Sequence, residues 1–100
     1  EIKLEEVELL ERMLPHFDRS KIKKIYKPGE ADRWTLPAYN ILNAKPSETL
    51  ANIKKIYMTL SKQFHPNSFD ATLSKEERKD SEAVFALISA AWTYIQAIKQ

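Results

Sequence analysis

The sequence predicts an all-α protein, and three observations support this prediction. Apolar residues recur at helical steps of three and four in several segments of the 100-residue chain. Glycine occurs only once, while Lys, Glu, Leu and Ala, which favour helix, are frequent. Runs of β-branched residues are few, so we expect no strand. At this length one compact domain with a short extension is expected.

The first predicted helix spans residues 2–14 and ends near Pro15, which cannot continue a helix. Its apolar stripe faces a largely acidic side, an arrangement that suits a helix N-terminus. The stripe consists of Leu4, Val7, Leu10, Leu14 and Phe17. Residues 19–27 follow as a basic segment whose pattern allows a short helix, and residues 28–35 form a connector. Segment 1–18 carries a net charge of −4 and segment 19–35 carries +4.

Three further helices are predicted after Trp34. A short helix spans residues 37–43, with Pro37 in its first turn. A longer helix spans residues 49–64, capped by Ser47 or Thr49 and stopped by Pro66. Its stripe consists of Ile53, Ile56, Leu60 and Phe64.

The last predicted helix spans residues 75–98 behind an S-x-x-E capping box at residues 74–77. Its stripe consists of Val84, Ile88, Ala91, Ile95 and Ile98, widened by Phe85 and Trp92. The short loop before it predicts that it runs antiparallel to the helix at 49–64.

Composition excludes several kinds of site. The chain has no cysteine, so it offers no disulfide framework, thiolate metal site or cysteine nucleophile. The two histidines, His16 and His65, do not supply the four ligands of a zinc site. Gly29 is the only glycine, so the chain cannot form a glycine-rich phosphate-binding loop. We therefore expect no metal, no cofactor and no catalytic residue, and a protein that is not an enzyme.

The sequence does not determine the cellular compartment of the protein. The longest unbroken apolar run, residues 83–88, is far shorter than the roughly 20 residues of a membrane span. Because the chain opens on Glu1, we expect a fragment or processed product whose parent can hold a membrane anchor. For a soluble fragment of this kind, the cytoplasm or an organelle lumen is the expected compartment.

The basic segment allows three interpretations: a solvated helix face, a contact with a polyanion such as nucleic acid, or a contact with an anionic membrane. In the last two, Ile22, Ile25 and Tyr26 would face the core. The candidate basic patch consists of Arg19, Lys21, Lys23, Lys24 and Lys27.

Several motifs in register make residues 36–98 resemble a J domain, the DnaJ-type co-chaperone module. Residues 37–44 resemble the family's first helix, with a Tyr two residues before an apolar-Leu pair. Residues 53–64 resemble its second helix, and His65-Pro66-Asn67 occupies the place of its His-Pro-Asp loop. The third-helix register is matched by Phe85, Ile88, Ala91, Trp92 and Ile95.

The resemblance implies a short first helix, an antiparallel helical hairpin and docking on a DnaK-type (seventy-kilodalton heat-shock) chaperone, whose ATP hydrolysis the module stimulates. In the family, basic residues of the second helix meet an acidic surface of the chaperone, and the loop aspartate accepts from an arginine. The partner-binding residues that the resemblance implies here are His65, Pro66, Asn67, Lys54, Lys55, Tyr57, Met58 and Lys62.

Two departures predict that stimulation of the chaperone's ATPase is weakened or lost. Asn67 keeps an acceptor oxygen but loses the charge, which costs about 1–3 kcal/mol at an ionic contact. Met58 and Thr59 stand where basic residues are usual, so the basic face is thin. Two other interpretations of Asn67 stay open, a plain turn residue and an engineered loss of function.

We expect residues 1–35 to form an N-terminal helical extension and connector, and residues 36–100 a J-like domain. The extension should pack on the J-like core or belong to a preceding domain, and the protein should be a monomer. The alternative function is a J-like fold used as a protein–protein, polyanion or membrane-surface interaction module without chaperone stimulation.

Overall fold

The computed structural model describes residues 1–26, 28–29, 33–66 and 72–99. Within these residues the chain is mostly helical, which confirms the predicted all-α class. The elements, in chain order, are β1 (Ile2–Lys3), α1 (Leu4–Met13), a 3₁₀ turn (Arg19–Lys21), β2 (Lys24–Ile25), β3 (Arg33–Trp34), α2 (Ala38–Leu42), α3 (Leu50–Phe64) and α4 (Lys75–Lys99).

Local hydrogen bonds explain where the helices begin and end. The Glu6 side chain accepts from the backbone N–H of Lys3 at 3.0 Å, just before α1. Thr49 caps α3 by accepting from the N–H of Asn52 at 3.2 Å, and Ser74 caps α4 by accepting from the N–H of Glu77 at 3.1 Å. Asn43, at φ 58°, ends α2 in the left-handed conformation, which asparagine tolerates.

The expectation of no strand is wrong, because β1, β2 and β3 form a small antiparallel sheet in the order β1-β3-β2. Ile2 and Lys24 both pair with Trp34 in this sheet. The basic segment is therefore a 3₁₀ turn followed by a strand, and not an α-helix. Strands of two residues are too short to show a readable alternation, so the sequence pattern could not reveal them.

The α3–α4 hairpin is antiparallel, as predicted. The start of α3 lies beside the end of α4, where the Lys99 ammonium donates to the carbonyl of Pro46 at 2.8 Å. The other end of α3 meets the middle of α4, where the rings of His65 and Phe85 lie 5.3 Å apart.

Helix α4 supplies the largest share of the core. Its buried residues are Ser81, Val84, Leu87, Ile88, Ala91 and Ile95. Ile98, expected in the stripe, is 51% exposed, whereas Leu87, which the predicted stripe omitted, is buried. The buried surface of α4 is wider than a single apolar stripe, because α1, α2 and α3 all pack against this helix. By length and composition alone α4 also meets the requirements of a membrane span, but here its apolar side is the core of the bundle.

The extension and the J-like domain share one hydrophobic core. Val7, Leu10 and Leu14 of the extension are fully buried in the same cluster as Ile41 and Ile88. Of the two arrangements expected for the extension, packing on the J-like core is the one present. The boundary at residue 36 itself stays a prediction.

Polar contacts fix the extension at the same junction. The Asn40 amide donates to the carbonyl of Asp18 at 2.6 Å and accepts from its N–H at 3.0 Å. The ring of His16 donates through Nε2 to the carbonyl of Ile41 at 2.6 Å. Arg12 forms a 2.7 Å ion pair with Asp80 of α4.

The Asp18 carboxylate is itself held locally. It accepts from the hydroxyl of Ser20 at 2.6 Å and from its N–H at 3.0 Å. These two bonds lower the pKa of Asp18 from its ordinary value, and Lys21 adds to the effect. The same two bonds hold the turn that presents the Asp18 backbone to Asn40.

The shared core predicts that the whole chain unfolds as one unit. Leu10→Ala should lower the free energy of unfolding by about 2–5 kcal/mol, because it opens a cavity at a fully buried site of α1. Urea unfolding followed by circular dichroism at 222 nm should show a single transition at a lower midpoint.

Glu8→Ala, at an exposed position of the same helix, is the matched control and should leave the midpoint nearly unchanged. A curve in which the main transition keeps its wild-type midpoint after Leu10→Ala would show that the extension folds separately.

Candidate functional site

Helix α3 divides its residues between the core and the solvent. Ile53 is fully buried, and Ile56, Leu60 and Phe64 pack partly buried against the core. The opposite side carries Lys54, Lys55, Met58, Thr59 and Lys62, all exposed. We call these five residues the α3 face.

The lysines of the α3 face present unneutralised charge. Within the described part of the chain, Lys54, Lys55 and Lys62 have no ion-pair partner. Charge of one sign on an exposed face raises the rate of encounter with an acidic partner surface.

Two uncharged residues interrupt this basic surface. Met58 lies one helical turn from both Lys54 and Lys62 and is 46% exposed. The Thr59 hydroxyl donates back to the carbonyl of Lys55 at 3.0 Å, so it is used within the helix. The exposed thioether of Met58 offers a polarisable apolar contact at the centre of the α3 face.

Tyr57 lies at the edge of the α3 face, where it is partly buried. Its ring stacks on the ring of Trp92, with centroids 5.2 Å apart and an interplanar angle of 12°. Trp92, which widens the predicted apolar stripe of α4, is likewise only partly buried against the core. The pair ties α3 to α4 beside the α3 face.

The loop that follows α3 begins from a fixed position. His65 is the residue that ends α3, and its exposed ring meets Phe85 of α4 edge to face at 83°. Pro66 is exposed and follows directly, which limits the backbone at this point. Asn67, the residue on which the predicted loss of activity depends, lies outside the described residues.

The predicted basic patch is divided in the structure. Arg19 pairs with Glu11 at 3.2 Å and lies 5.8 Å from the ring centre of Trp34. Lys24 lies over the same ring at 5.6 Å and over Tyr26 at 5.3 Å. These two cations pack on aromatic rings, which stabilises the sheet.

The other members of the patch lie elsewhere. Lys21 and Lys23 are exposed on another side, beside α2, and Lys27 lies outside the described residues. Tyr26 is 82% exposed, so the expectation that it faces the core is wrong. Tyr26 directly follows the edge strand β2, beyond the last paired residue of the sheet, which leaves its side chain open to solvent.

The extension reaches the border of the α3 face. A groove of about 300 Å³ is lined by His16 together with Lys55, Ile56 and Thr59 of α3. No sequence signal could have placed His16 there, because its contact to Ile41 spans 25 residues. Among the described residues, no group of three or more His, Asp or Glu side chains is placed to hold a metal ion.

Comparison with known proteins places residues 37–100 in the DnaJ domain family, whose model matches them. Curated relatives include chaperone protein DnaJ from Rickettsia rickettsii and from Rickettsia conorii, each 36% identical over 58 residues. The match covers 58% of this chain and 14% of each relative, so the chain corresponds to a small part of those proteins. No solved structure matches the chain.

The stacked pair predicts a supporting role for Tyr57. Tyr57→Ala should lower the free energy of unfolding by about 1–3 kcal/mol, because it removes the ring that stacks on Trp92. Tyr57→Phe keeps that ring and should stay within about 0.5 kcal/mol of wild type.

Urea unfolding of the three proteins measures these differences. If Tyr57→Phe is as destabilising as Tyr57→Ala, the hydroxyl and not the stacking holds the residue, and this explanation fails.

Proposed function

The chain belongs to the DnaJ domain family as a J-domain co-chaperone module, and from that premise we propose that it binds a DnaK-type ATPase chaperone while stimulating its ATP hydrolysis only weakly. The observation that carries the proposal is the exposed lysine side of α3, which leads without a break into His65 and Pro66.

The α3 face supplies binding through steering and direct contact. Lys54, Lys55 and Lys62 attract an acidic surface over roughly 10 Å at 0.1 M salt, the distance at which screening becomes strong. Met58, half exposed among them, replaces one expected charge by an apolar contact. Binding therefore depends on fewer charges, and more on close packing, than in a fully basic J domain.

Stimulation depends on the loop that follows. The aspartate of the family's loop is a charged acceptor for an arginine of the chaperone, whereas Asn67 offers a neutral amide oxygen. A neutral acceptor forms the weaker bond, and the difference of about 1–3 kcal/mol corresponds to roughly tenfold or more. The protein consequently docks through α3 but triggers hydrolysis poorly.

In this proposal the module has no catalytic residue and no cofactor of its own. ATP is bound and hydrolysed by the chaperone, and the chain acts through contacts that favour one state of its partner.

Restoring the charge tests the loop. Asn67→Asp should raise the single-turnover ATPase rate of a DnaK-type chaperone about tenfold over that with the wild-type chain, because the ionic contact returns. Asn67→Ala, which removes the acceptor, is the control and should not stimulate.

A wild-type chain that already stimulates as strongly as Asn67→Asp would contradict the role given to the missing charge. If neither protein binds any DnaK-type chaperone tested, the chain is an interaction module of another kind.

Removing the lysines tests the docking helix. A variant with Lys54, Lys55 and Lys62 all changed to Ala should bind the chaperone at least about fivefold more weakly at low salt, because three steering charges are lost. Surface plasmon resonance at 50 and 300 mM salt measures this, and the difference should shrink at the higher concentration.

A matched control removes the same number of exposed lysines elsewhere, with Lys3, Lys75 and Lys79 changed to Ala. If the control loses as much affinity as the α3 variant, general charge and not the α3 face determines binding.

A further inference from the structure

A cleft of about 620 Å³ opens where the extension meets the beginning of the J-like domain. One wall comes from the last residue of the 3₁₀ turn and the two residues after it, and the other from α2 and the loop that leads to α3. The extension wall lies outside residues 37–100, the part that matches the DnaJ domain. The cleft is therefore a feature of this chain and not of the J-like domain alone.

Three lysines line this cleft, Lys21 and Lys23 from the extension and Lys45 from the loop after α2. All three are exposed, and among the described residues none has an ion-pair partner. Two carboxylates lie near them. Glu48 accepts from the backbone N–H of Lys45 at 3.0 Å, and Asp18 is occupied by Ser20. Only Glu48 lines the cleft itself, and it forms no ion pair with the lysines, so the three lysines give the described lining an excess of positive charge.

The floor between the lysines is apolar. It includes Leu36, Pro37, Tyr39 and Ala44, most of them partly buried and none fully exposed. A ligand that fills the cleft must therefore combine negative charge with apolar groups. Its volume is within the range of about 300–1,000 Å³ that is typical of ligand sites.

We propose that this cleft binds an acidic, partly apolar polypeptide segment of a partner protein. A nucleic-acid duplex or a lipid bilayer presents a broad surface that cannot enter a concave site. The cations that would widen the patch for such a surface, Arg19 and Lys24, lie against Trp34 instead. An extended peptide can place carboxylates on the lysines and apolar side chains on the floor.

This site is separate from the proposed chaperone contact, because it uses none of the α3 face. The experiment therefore needs no chaperone. The probe is a short peptide of alternating glutamate and leucine with a neutral fluorophore, titrated with the full 100-residue chain and followed by fluorescence anisotropy.

Changing Lys21, Lys23 and Lys45 together to Ala should weaken peptide binding about tenfold or more, because three charge contacts are lost. Glu48→Gln keeps the acceptor for the Lys45 N–H and should strengthen binding, because it removes a carboxylate from the cleft wall.

Changing Lys54, Lys55 and Lys62 to Ala removes equal charge from the α3 face and should leave the affinity for the peptide nearly unchanged. Thermal unfolding checks that each variant is folded.

Four results would overturn the proposal. The first is wild-type affinity in the cleft variant, and the second is an equal loss in the α3 variant. The third is equal binding of a glutamine–leucine peptide, which would remove the role of charge. The last is tighter binding of oligothymidylate or phosphatidylserine vesicles, which would assign the lysines to nucleic acid or to membrane.

Discussion

Burial of α4 is the constraint on which the rest of the molecule depends. This helix packs against α1, α2 and α3, and it contributes five buried apolar residues to one core. A segment apolar on more than one side needs partners around it, since each exposed apolar side chain costs roughly 1.5–3 kcal/mol relative to burial. The J-like part alone covers α4 with α2 and α3, and α1 covers a further side.

The same constraint orients the functional face. Because Ile53 must lie inside against α4, the lysines at neighbouring positions of α3 must lie outside. The Tyr57–Trp92 stack and the His65–Phe85 contact then fix both the middle and the end of α3 on α4. The position from which the loop at residue 66 departs is therefore set by packing, and no long-range charge interaction is needed to explain it.

The helices, and the residues that share the α3 face, could be predicted from the sequence, because their determinants lie within one or two helical turns. Periodicity locates α1, α3 and α4, and side-chain caps such as Thr49 mark their ends. The sheet and the junction could not be predicted in this way. The pairs Ile2 with Trp34 and Asp18 with Asn40 join residues more than 20 positions apart, and no local pattern records them. For the same reason the sequence predicted a single basic patch. In the structure Arg19 and Lys24 pack on Trp34, whereas Lys21 and Lys23 line the cleft.

The pairing of Ile2 with Trp34 has a consequence for how this module can be exchanged between proteins. Similarity to the family begins at residue 37, yet the folded unit begins at least at Ile2, because its strand and α1 close the core. A recombination or fusion joint placed at the similarity border would remove α1 from its side of α4 and the His16 contact from the Ile41 carbonyl. The folded module is thus longer than the region that matches the family, and moving it intact to another protein requires the segment that begins at Ile2.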